Sequence, residues 1–356
     1  MACSRSVQDS WRKGSMTLRA GNWVEVRSRE EILRSLDEKG CLDGLPFMPQ
    51  MFQYCGQRFR VYKRAHKTCD TVNVTGGRRL TNAVHLQLRC DGKAYGGCQA
   101  GCLLFWKEAW LSPCEADADA PTRASRIKAD SDPTPKGCSE EDVWKATRRE
   151  SRQNEETRYS CQATQLLDYT TPLPWWHFGQ YLEDYTSGNA TIGRVLRVLL
   201  YVSLRPFNWR FPAFRKLHDR IKALFGGIPF PQRIGTIPDG ESTPTAALDL
   251  QPGELVRVRS FSEILATLDR SNKNRGLYFD AELVPYCGGT YRVKTRMTTF
   301  IDEKSGKLRQ MKTPAVILED VWCQSCYSDR RLLCPRSIYS WWREVWLERV
   351  PENKQD

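Results

Sequence analysis

A long internal repeat is the feature that most restricts how this chain can fold. The segment GNWVEVRS at Gly21 recurs as GELVRVRS at Gly253, and the similarity continues to Leu111 in the first copy and Leu347 in the second. The offset between equivalent positions is 232 at first and 236 towards the end, a difference of four residues that one insertion explains. Because a unit of about 90 residues is far longer than a solenoid repeat, the pattern predicts two copies of one domain.

The repeat divides the 356 residues into five parts. We predict a flexible tail at 1–18, a first repeat at 19–113, a linker at 114–156, a middle segment at 157–245 and a second repeat at 246–350. The linker is rich in Asp, Ala and Pro, and we expect it to become helical between Glu140 and Arg152.

Each copy reads as a small β unit with one early helix. An alternating strand pattern is followed by Ser-x-x-Glu, at Ser28 in the first copy and Ser260 in the second, which predicts a capping box and a short helix. Further strands are predicted at 59–62 and 84–88 and at 291–294 and 316–318, with a hairpin turn at 302–307.

The Gly-x-x-Val-x-Val pattern that opens each copy resembles the first strand of KOW or SH3-like barrels. This resemblance covers about a third of each copy. It implies a barrel of the kind that commonly binds RNA or protein. We therefore expect an α+β fold of two duplicated, mostly β, SH3-like domains with cysteine-rich metal sites, joined by a basic helical segment.

The charge of the chain favours an anionic partner. The net charge is +12 and the isoelectric point is about 9.1, which suits nucleic acid, a phospholipid surface or a phosphorylated substrate, although a basic solvated surface is the plain alternative. The first residues show no signal-peptide pattern and no run of 18 apolar residues occurs, so we expect a reducing, cytoplasmic location without a transmembrane span.

Clustered cysteines in a reducing compartment are more often metal ligands than cross-links. The second copy offers four thiols, two of them in a Cys-x-x-Cys pair, which suits tetrahedral zinc, with an iron–sulfur cluster as the alternative: Cys287, Cys323, Cys326 and Cys334. In the first copy we expect Cys55, Cys90 and Cys98, together with either Cys69 or Cys102. Small buried thiols that are relics of a common ancestor are the competing interpretation.

The middle segment has no duplicate and is strongly basic. Residues 192–225 contain a single acid, Asp219, and eight basic residues: Arg194, Arg197, Arg205, Arg210, Arg215, Lys216, Arg220 and Lys222. Helices of this composition can lie in a membrane interface with basic side chains near the headgroups. Alternatively, they are amphipathic helices that pack the two repeats together.

Two tryptophans stand four apart in each copy, at Trp106 and Trp110 and at Trp342 and Trp346. This spacing predicts a helix that packs its aromatic face on the core, or else an aromatic platform that stacks bases beside Lys107, Arg336 or Arg343.

The search for catalytic motifs finds no phosphate-binding loop, nucleophile elbow, zinc-protease helix or dinucleotide fingerprint. The leading hypothesis is therefore a non-catalytic zinc-binding scaffold that has a basic surface and binds nucleic acid or a protein. The alternatives are a membrane-surface accessory protein that docks through 192–225 and an enzyme with a metal or iron–sulfur site in the first repeat.

Overall fold

The computed structural model describes residues 17–115, 138–149, 156–224, 226–328 and 330–351. Within these ranges the chain has an α+β fold built from short helices and several small sheets. It divides into two compact units. The described residues within 1–97, 103–191 and 301–308 form unit 1, and those within 98–102, 192–300 and 309–356 form unit 2. Most of the predicted tail and linker, together with Phe225, lies outside the described residues.

The described ranges contain α-helices and short 3₁₀ helices. The α-helices are α1 (Arg29–Ser35), α2 (Glu140–Lys145), α3 (Gly179–Thr186), α4 (Ile192–Arg210), α5 (Pro212–Leu224) and α6 (Phe261–Leu265). The 3₁₀ helices span Pro49–Tyr54, Lys93–Tyr95, Glu108–Trp110, Ala281–Tyr286 and Glu344–Trp346.

Most strands are short. In unit 1 they are β1 (Trp23–Val26), β2 (Cys41–Leu42), β3 (Leu45–Pro46), β4 (Arg58–Arg60), β5 (Lys63–Arg64), β6 (Lys67–Cys69), β7 (Gly77–Arg79), β8 (Ala83–His85), β9 (Trp106–Lys107), β10 (Leu111–Cys114), β11 (Arg148–Arg149), β12 (Arg158–Tyr159) and β13 (Thr171–Leu173). The remaining strands, which belong to unit 2 except for Ile301 and Leu308, are β14 (Leu255–Val258), β15 (Lys273–Asn274), β16 (Leu277–Tyr278), β17 (Thr290–Ile301), β18 (Leu308–Trp322), β19 (Tyr339–Trp342) and β20 (Leu347–Arg349).

Unit 1 contains three small three-stranded sheets, with strand orders β10-β1-β4, β13-β7-β6 and β5-β8-β9. Val24 and Val26 alternate into the core from β1 and are fully buried. Helix α1 begins with the predicted capping box, because Ser28 Oγ accepts from Glu31 N while Glu31 Oε2 accepts from Ser28 N at 3.0 Å. The cap fixes the start of α1, whose apolar residue Ile32 is buried in the core.

Unit 2 contains a five-stranded sheet with the order β19-β18-β17-β14-β20. Val256, Val258 and Val293 point into its core and are fully buried. The predicted capping box at Ser260 and Glu263 begins α6. The predicted hairpin turn at 302–307, whose residues belong to unit 1, is confirmed, since Asp302 N donates to Lys307 O at 2.9 Å.

Several hydrogen bonds inside unit 1 recur inside unit 2 at the sequence offset. Trp110 Nε1 donates to Ser35 Oγ at 3.2 Å, and Trp346 Nε1 donates to Thr267 Oγ1 at 2.9 Å. The carboxylate two residues before each tryptophan accepts from the chain ahead of the first strand. Leu18 N donates to Glu108 Oε1 at 3.0 Å, and Leu250 N donates to Glu344 Oε1 at 3.2 Å.

The tryptophan pairs correct a prediction. Trp106, Trp110, Trp342 and Trp346 are all fully buried, which confirms core packing. The predicted α-helix is wrong, because each pair spans the end of a strand and one 3₁₀ turn. The base-stacking platform is wrong as well, because a fully buried ring has no face for a base and the basic side chains beside the pairs are also buried: Lys107, Arg336 and Arg343.

The sheets among the described residues are open, with distinct edge strands, and none closes into a barrel. The α+β class is therefore a property of the structure, whereas the SH3-like assignment stays a prediction.

The buried guanidinium of Arg343 is stabilised by backbone carbonyl groups. Its guanidinium donates to the carbonyl oxygens of Asn274, Arg275 and Pro314, and burial lowers its pKa to about 10.

Candidate functional site

Helices α4 and α5 in unit 2 form the most distinctive surface of the described chain. Pro212 occupies the first position of α5, where a missing N–H costs nothing and the fixed φ favours a helical start. The backbone stays hydrogen-bonded across the junction, since Phe211 N donates to Phe207 O at 2.9 Å and Arg215 N donates to Phe211 O at 3.1 Å. The middle segment was predicted to be helical here, and the structure confirms it.

The inner face of α4 is attached to the rest of unit 2. Val195 and Val198 are buried, at 6% and 2% exposure. Arg194 Nη2 donates to Gln324 O at 2.8 Å, and the Tyr201 ring meets the Tyr327 ring edge-on at 5.0 Å. Burial raises the pKa of Tyr327 to about 12, so its hydroxyl is uncharged at neutral pH. These contacts fix which side of α4 faces outward.

The outer face of the pair is apolar and exposed. Its side chains are between 43% and 82% exposed, and they are Ile192, Leu196, Leu200, Phe207, Phe211, Phe214, Leu217, Ile221 and Leu224. At about 100° per residue, the four members on α4 fall within an arc of about 80°, and so do the four on α5, while Phe211 lies at the junction between the helices. An exposed apolar stripe of this extent marks an interaction surface rather than scattered surface residues. We call it the apolar stripe.

Basic side chains flank the apolar stripe. Of the predicted basic residues, five are exposed and three are half-buried. The exposed ones are Arg197, Arg210, Lys216, Arg220 and Lys222, and the half-buried ones are Arg194, Arg205 and Arg215. On a helical projection of α5, Lys216 and Arg220 lie to one side of the stripe and Arg215 and Lys222 to the other, at about 100° per residue. On α5 the apolar residues therefore have cations on both borders. On α4, exposed Arg210 lies 18 residues after Ile192 and points in the same direction, at the edge of the apolar arc.

The one acid of the pair does not face the stripe. Asp219 forms an ion pair with Arg233, and its Oδ1 accepts from Phe230 N at 2.7 Å and lies 3.4 Å from His218 Nδ1. On the helical projection it lies opposite the apolar residues of α5. Its charge is thus compensated by groups of unit 2 and does not weaken the positive field around the stripe.

Within the part of the chain that the structure describes, no helix is long and apolar enough to cross a membrane. This agrees with the expectation from the sequence that nothing here spans a bilayer. An amphipathic helix pair of this kind can instead lie along an interface.

The predicted metal ligands are distributed over both units. Cys55, Cys69 and Cys90 belong to unit 1, and unit 2 holds Cys98, Cys102, Cys287, Cys323, Cys326 and Cys334. The described residues contain no group of three or more His, Cys, Asp or Glu side chains with the geometry of a metal site. Burial raises the pKa of Cys55 to about 11 and that of Cys287 to about 12, so both favour the neutral thiol. Zinc and iron–sulfur ligation stay predictions.

The turn at 323–326 has supports that the sequence did not reveal. Glu282 is 1% exposed, and its Oε1 accepts from Tyr327 N at 2.5 Å and from Ser328 N at 2.7 Å. Arg194 holds the same turn through Gln324 O. A carboxylate 41 positions before the Cys-x-x-Cys pair carries no motif, so no pattern in the sequence identifies this role.

Comparisons with known proteins assign no family to this surface. No protein-family model matches the chain, and no curated protein is similar to it at a significant level.

Proposed function

We propose that this protein binds anionic membrane surfaces through α4 and α5 and remains peripheral to the bilayer. The observation that carries the proposal is the apolar stripe, whose side chains are exposed although the opposite face of α4 is packed and hydrogen-bonded. Apolar residues inserted at the level of the acyl boundary place flanking Lys and Arg near the headgroups, where each contributes about 1 kcal/mol on an acidic surface.

A lipid surface fits this site better than a nucleic acid. A polyanion would contact the exposed basic residues but leave Leu196, Phe211 and Leu217 in water. A bilayer engages both kinds of side chain at once, since headgroups attract the cations and the interface accepts the apolar groups. Asp219 is directed at Arg233 and Phe230 N, which keeps the acid away from the cationic border and favours an anionic partner of either kind.

We also propose that the two repeats descend from one duplicated SH3-like unit and that the second repeat acts as a scaffold for this surface. The equivalent bonds Trp110–Ser35 and Trp346–Thr267 support common descent, because side-chain bonds at matched positions are hard to obtain twice by chance. In this proposal the second repeat holds the helices, through contacts such as that of Arg194 with Gln324, and the helices bind the membrane.

The test compares variants in vesicle flotation. Leu196→Gln with Leu200→Gln removes two members of the apolar stripe, and Ile234→Gln is the control, because Ile234 is 51% exposed in unit 2 but lies outside the helix pair. We expect the double variant to bind vesicles of phosphatidylcholine and phosphatidylserine at least about tenfold more weakly, since each leucine loses a large part of about 2 kcal/mol of transfer free energy. Equal binding by the double variant and the wild type would show that the apolar stripe does not contact the membrane.

A second variant tests the charge. Lys216→Ser, Arg220→Ser and Lys222→Ser together remove three exposed cations from α5. At about 1 kcal/mol each, their loss weakens binding to acidic vesicles by roughly 100-fold. A triple variant that bound acidic vesicles as the wild type does would show that headgroup charge is not recognised here. If the wild-type protein bound another protein through this surface in the absence of lipid, that protein and not the membrane would be the partner.

A further inference from the structure

A second exposed apolar surface lies in unit 1, on α3 and the segment before it. Its members are between 42% and 70% exposed, and they are Trp175, Trp176, Phe178, Leu182 and Tyr185. We call it the aromatic patch. Four of its five members are aromatic, and Trp175 and Trp176 meet edge-on with ring centroids 6.0 Å apart.

The opposite face of α3 is held by buried polar contacts. Lys67 Nζ lies 2.6 Å from Asp184 Oδ2, and both side chains are 3% exposed or less. The same ammonium group lies 5.0 Å from the centre of the Tyr181 ring. Rotating α3 to bury the aromatic patch would separate this ion pair in a water-excluded place, which is costly. The outward position of the patch is therefore set by the fold.

The segment that carries the tryptophans is fixed as well. Gln180 Nε2 donates to Pro174 O at 3.0 Å, and Tyr181 OH donates to Trp175 O at 2.7 Å. The backbone that presents the two indoles is thus tied to buried side chains of α3. A rigid, exposed pair of indoles is a preformed contact surface rather than a frayed loop.

The acidic side chains next to the aromatic patch are neutralised by ion pairs. The two acids of α3 are both paired: Asp184 with Lys67, and Glu183 with Arg79 at 2.8 Å and with Arg64 at 3.6 Å. The five patch side chains include no Asp, Glu, Lys, Arg or His. Such a surface suits neither a polyanion nor an acidic peptide. It suits the interfacial zone of a bilayer, where Trp and Tyr rings are enriched because one part is apolar and the other donates hydrogen bonds.

We infer that the aromatic patch is a second membrane anchor, which inserts into the interface without requiring anionic lipid. The inference rests on the proposed function, and the order of the chain supports it. Residues 187–191 alone separate α3 from α4, so the uncharged anchor passes directly into the cationic one along the chain. Two linked anchors multiply their partition coefficients when they engage one bilayer, which gives stable binding from two weak contacts.

The experiment measures binding of the full chain to vesicles of pure phosphatidylcholine and of phosphatidylcholine with phosphatidylserine. The variant is Trp175→Ala with Trp176→Ala. The matched control is Trp144→Ala, because Trp144 is also in unit 1 and 50% exposed but lies on α2, outside the patch. Unchanged thermal unfolding of each variant establishes that the fold is retained.

We expect the double variant to bind both kinds of vesicle about tenfold more weakly and the control to bind as the wild type does. Wild-type binding by the double variant, with weakened binding by Leu196→Gln with Leu200→Gln, would overturn the second anchor and leave the proposed function intact. The reverse result would retain the second anchor and reject α4 and α5 as the membrane contact.

Sedimentation of the lipid-free protein tests the alternative that a second copy of the chain covers the aromatic patch. A wild-type oligomer that Trp175→Ala with Trp176→Ala converts to monomer would overturn the inference, because the patch would then be covered by a second copy of the chain. A monomer in both forms supports the membrane as the partner.

Discussion

Asp219 Oδ1 accepts a hydrogen bond of 2.7 Å from Phe230 N, which ties the one acid of the basic helix pair to the segment that follows it. The other carboxylate oxygen pairs with Arg233. Phe230 itself is fully buried, so the acid stabilises the return of the chain beneath the helices. A residue that looks like an exception to the basic composition is thus a structural support of the surface.

Replacing Asp219 is expected to change the stability of the protein without weakening its binding to vesicles. Asp219→Asn removes the charge that holds Arg233, and we expect the free energy of unfolding to fall by about 1–3 kcal/mol, as for a hydrogen bond to a charged group. Vesicle binding should not fall, because a negative charge has been removed. Denaturant unfolding and flotation check the two parts, with exposed Asp239→Asn as the control. A variant of wild-type stability would show that the Asp219 contacts contribute nothing.

Breaking the buried ion pair of Lys67 and Asp184 is expected to cost more stability than replacing Asp219. Asp184→Asn leaves an ammonium group buried without its counter-charge, and we expect a loss of about 3–5 kcal/mol in the free energy of unfolding. The control is Glu141→Gln, because Glu141 and Lys145 form an ion pair whose side chains are 83% and 72% exposed. Loss of such a pair costs about 1 kcal/mol or less. Similar losses in both variants would contradict the burial of the first pair.

The capping box of α1 predicts a pH dependence. Burial tends to raise the pKa of Glu31, but hydrogen bonds from the Ser28 backbone and side chain, together with Arg27, outweigh it and hold that pKa below its usual 4.5. A lowered folded-state pKa contributes stability that is present above the unfolded value and is lost as pH falls through the folded one. Glu31→Gln should therefore flatten the decline in unfolding free energy below about pH 4.5. The neighbouring Glu30→Gln is the control, and an unchanged acid limb in Glu31→Gln would contradict the cap.

The cysteine prediction is decided by elemental analysis of freshly purified protein. If the proposed zinc sites exist, the chain holds about two zinc ions, and Cys323→Ser with Cys326→Ser removes one of them. Iron with visible charge-transfer absorption would show that the cysteines bind an iron–sulfur cluster and not zinc. A preparation without either metal would identify these cysteines as small core residues.

Local structure was predictable wherever a short pattern determines it. The Ser28 and Ser260 capping boxes, the turn at 302–307 and the helical character of α4 and α5 all follow from neighbouring residues, and the structure contains each of them. The repeat likewise located Trp110 and Trp346 in equivalent places, and both are buried.

What the sequence could not supply is which apolar residues remain uncovered. Val195 and Leu196 are adjacent and both apolar, yet one is 6% exposed and the other 60% exposed. Periodicity shows that a helix has an apolar face but not what packs on it, because that depends on residues distant in sequence such as Tyr327. The prediction of a helix at the tryptophan pairs was wrong for a related reason. A spacing of four suits a helix, but a strand followed by a 3₁₀ turn buries both rings equally well.

The most direct test of the membrane proposal is flotation of the wild-type protein with vesicles of phosphatidylcholine and phosphatidylserine as the salt concentration increases. The account predicts strong flotation at low salt that weakens as the Debye length shrinks from about 30 Å at 0.01 M to about 3 Å at 1 M, with a residual salt-resistant fraction held by apolar insertion. Protein that stays at the bottom of the gradient at every salt concentration would contradict it.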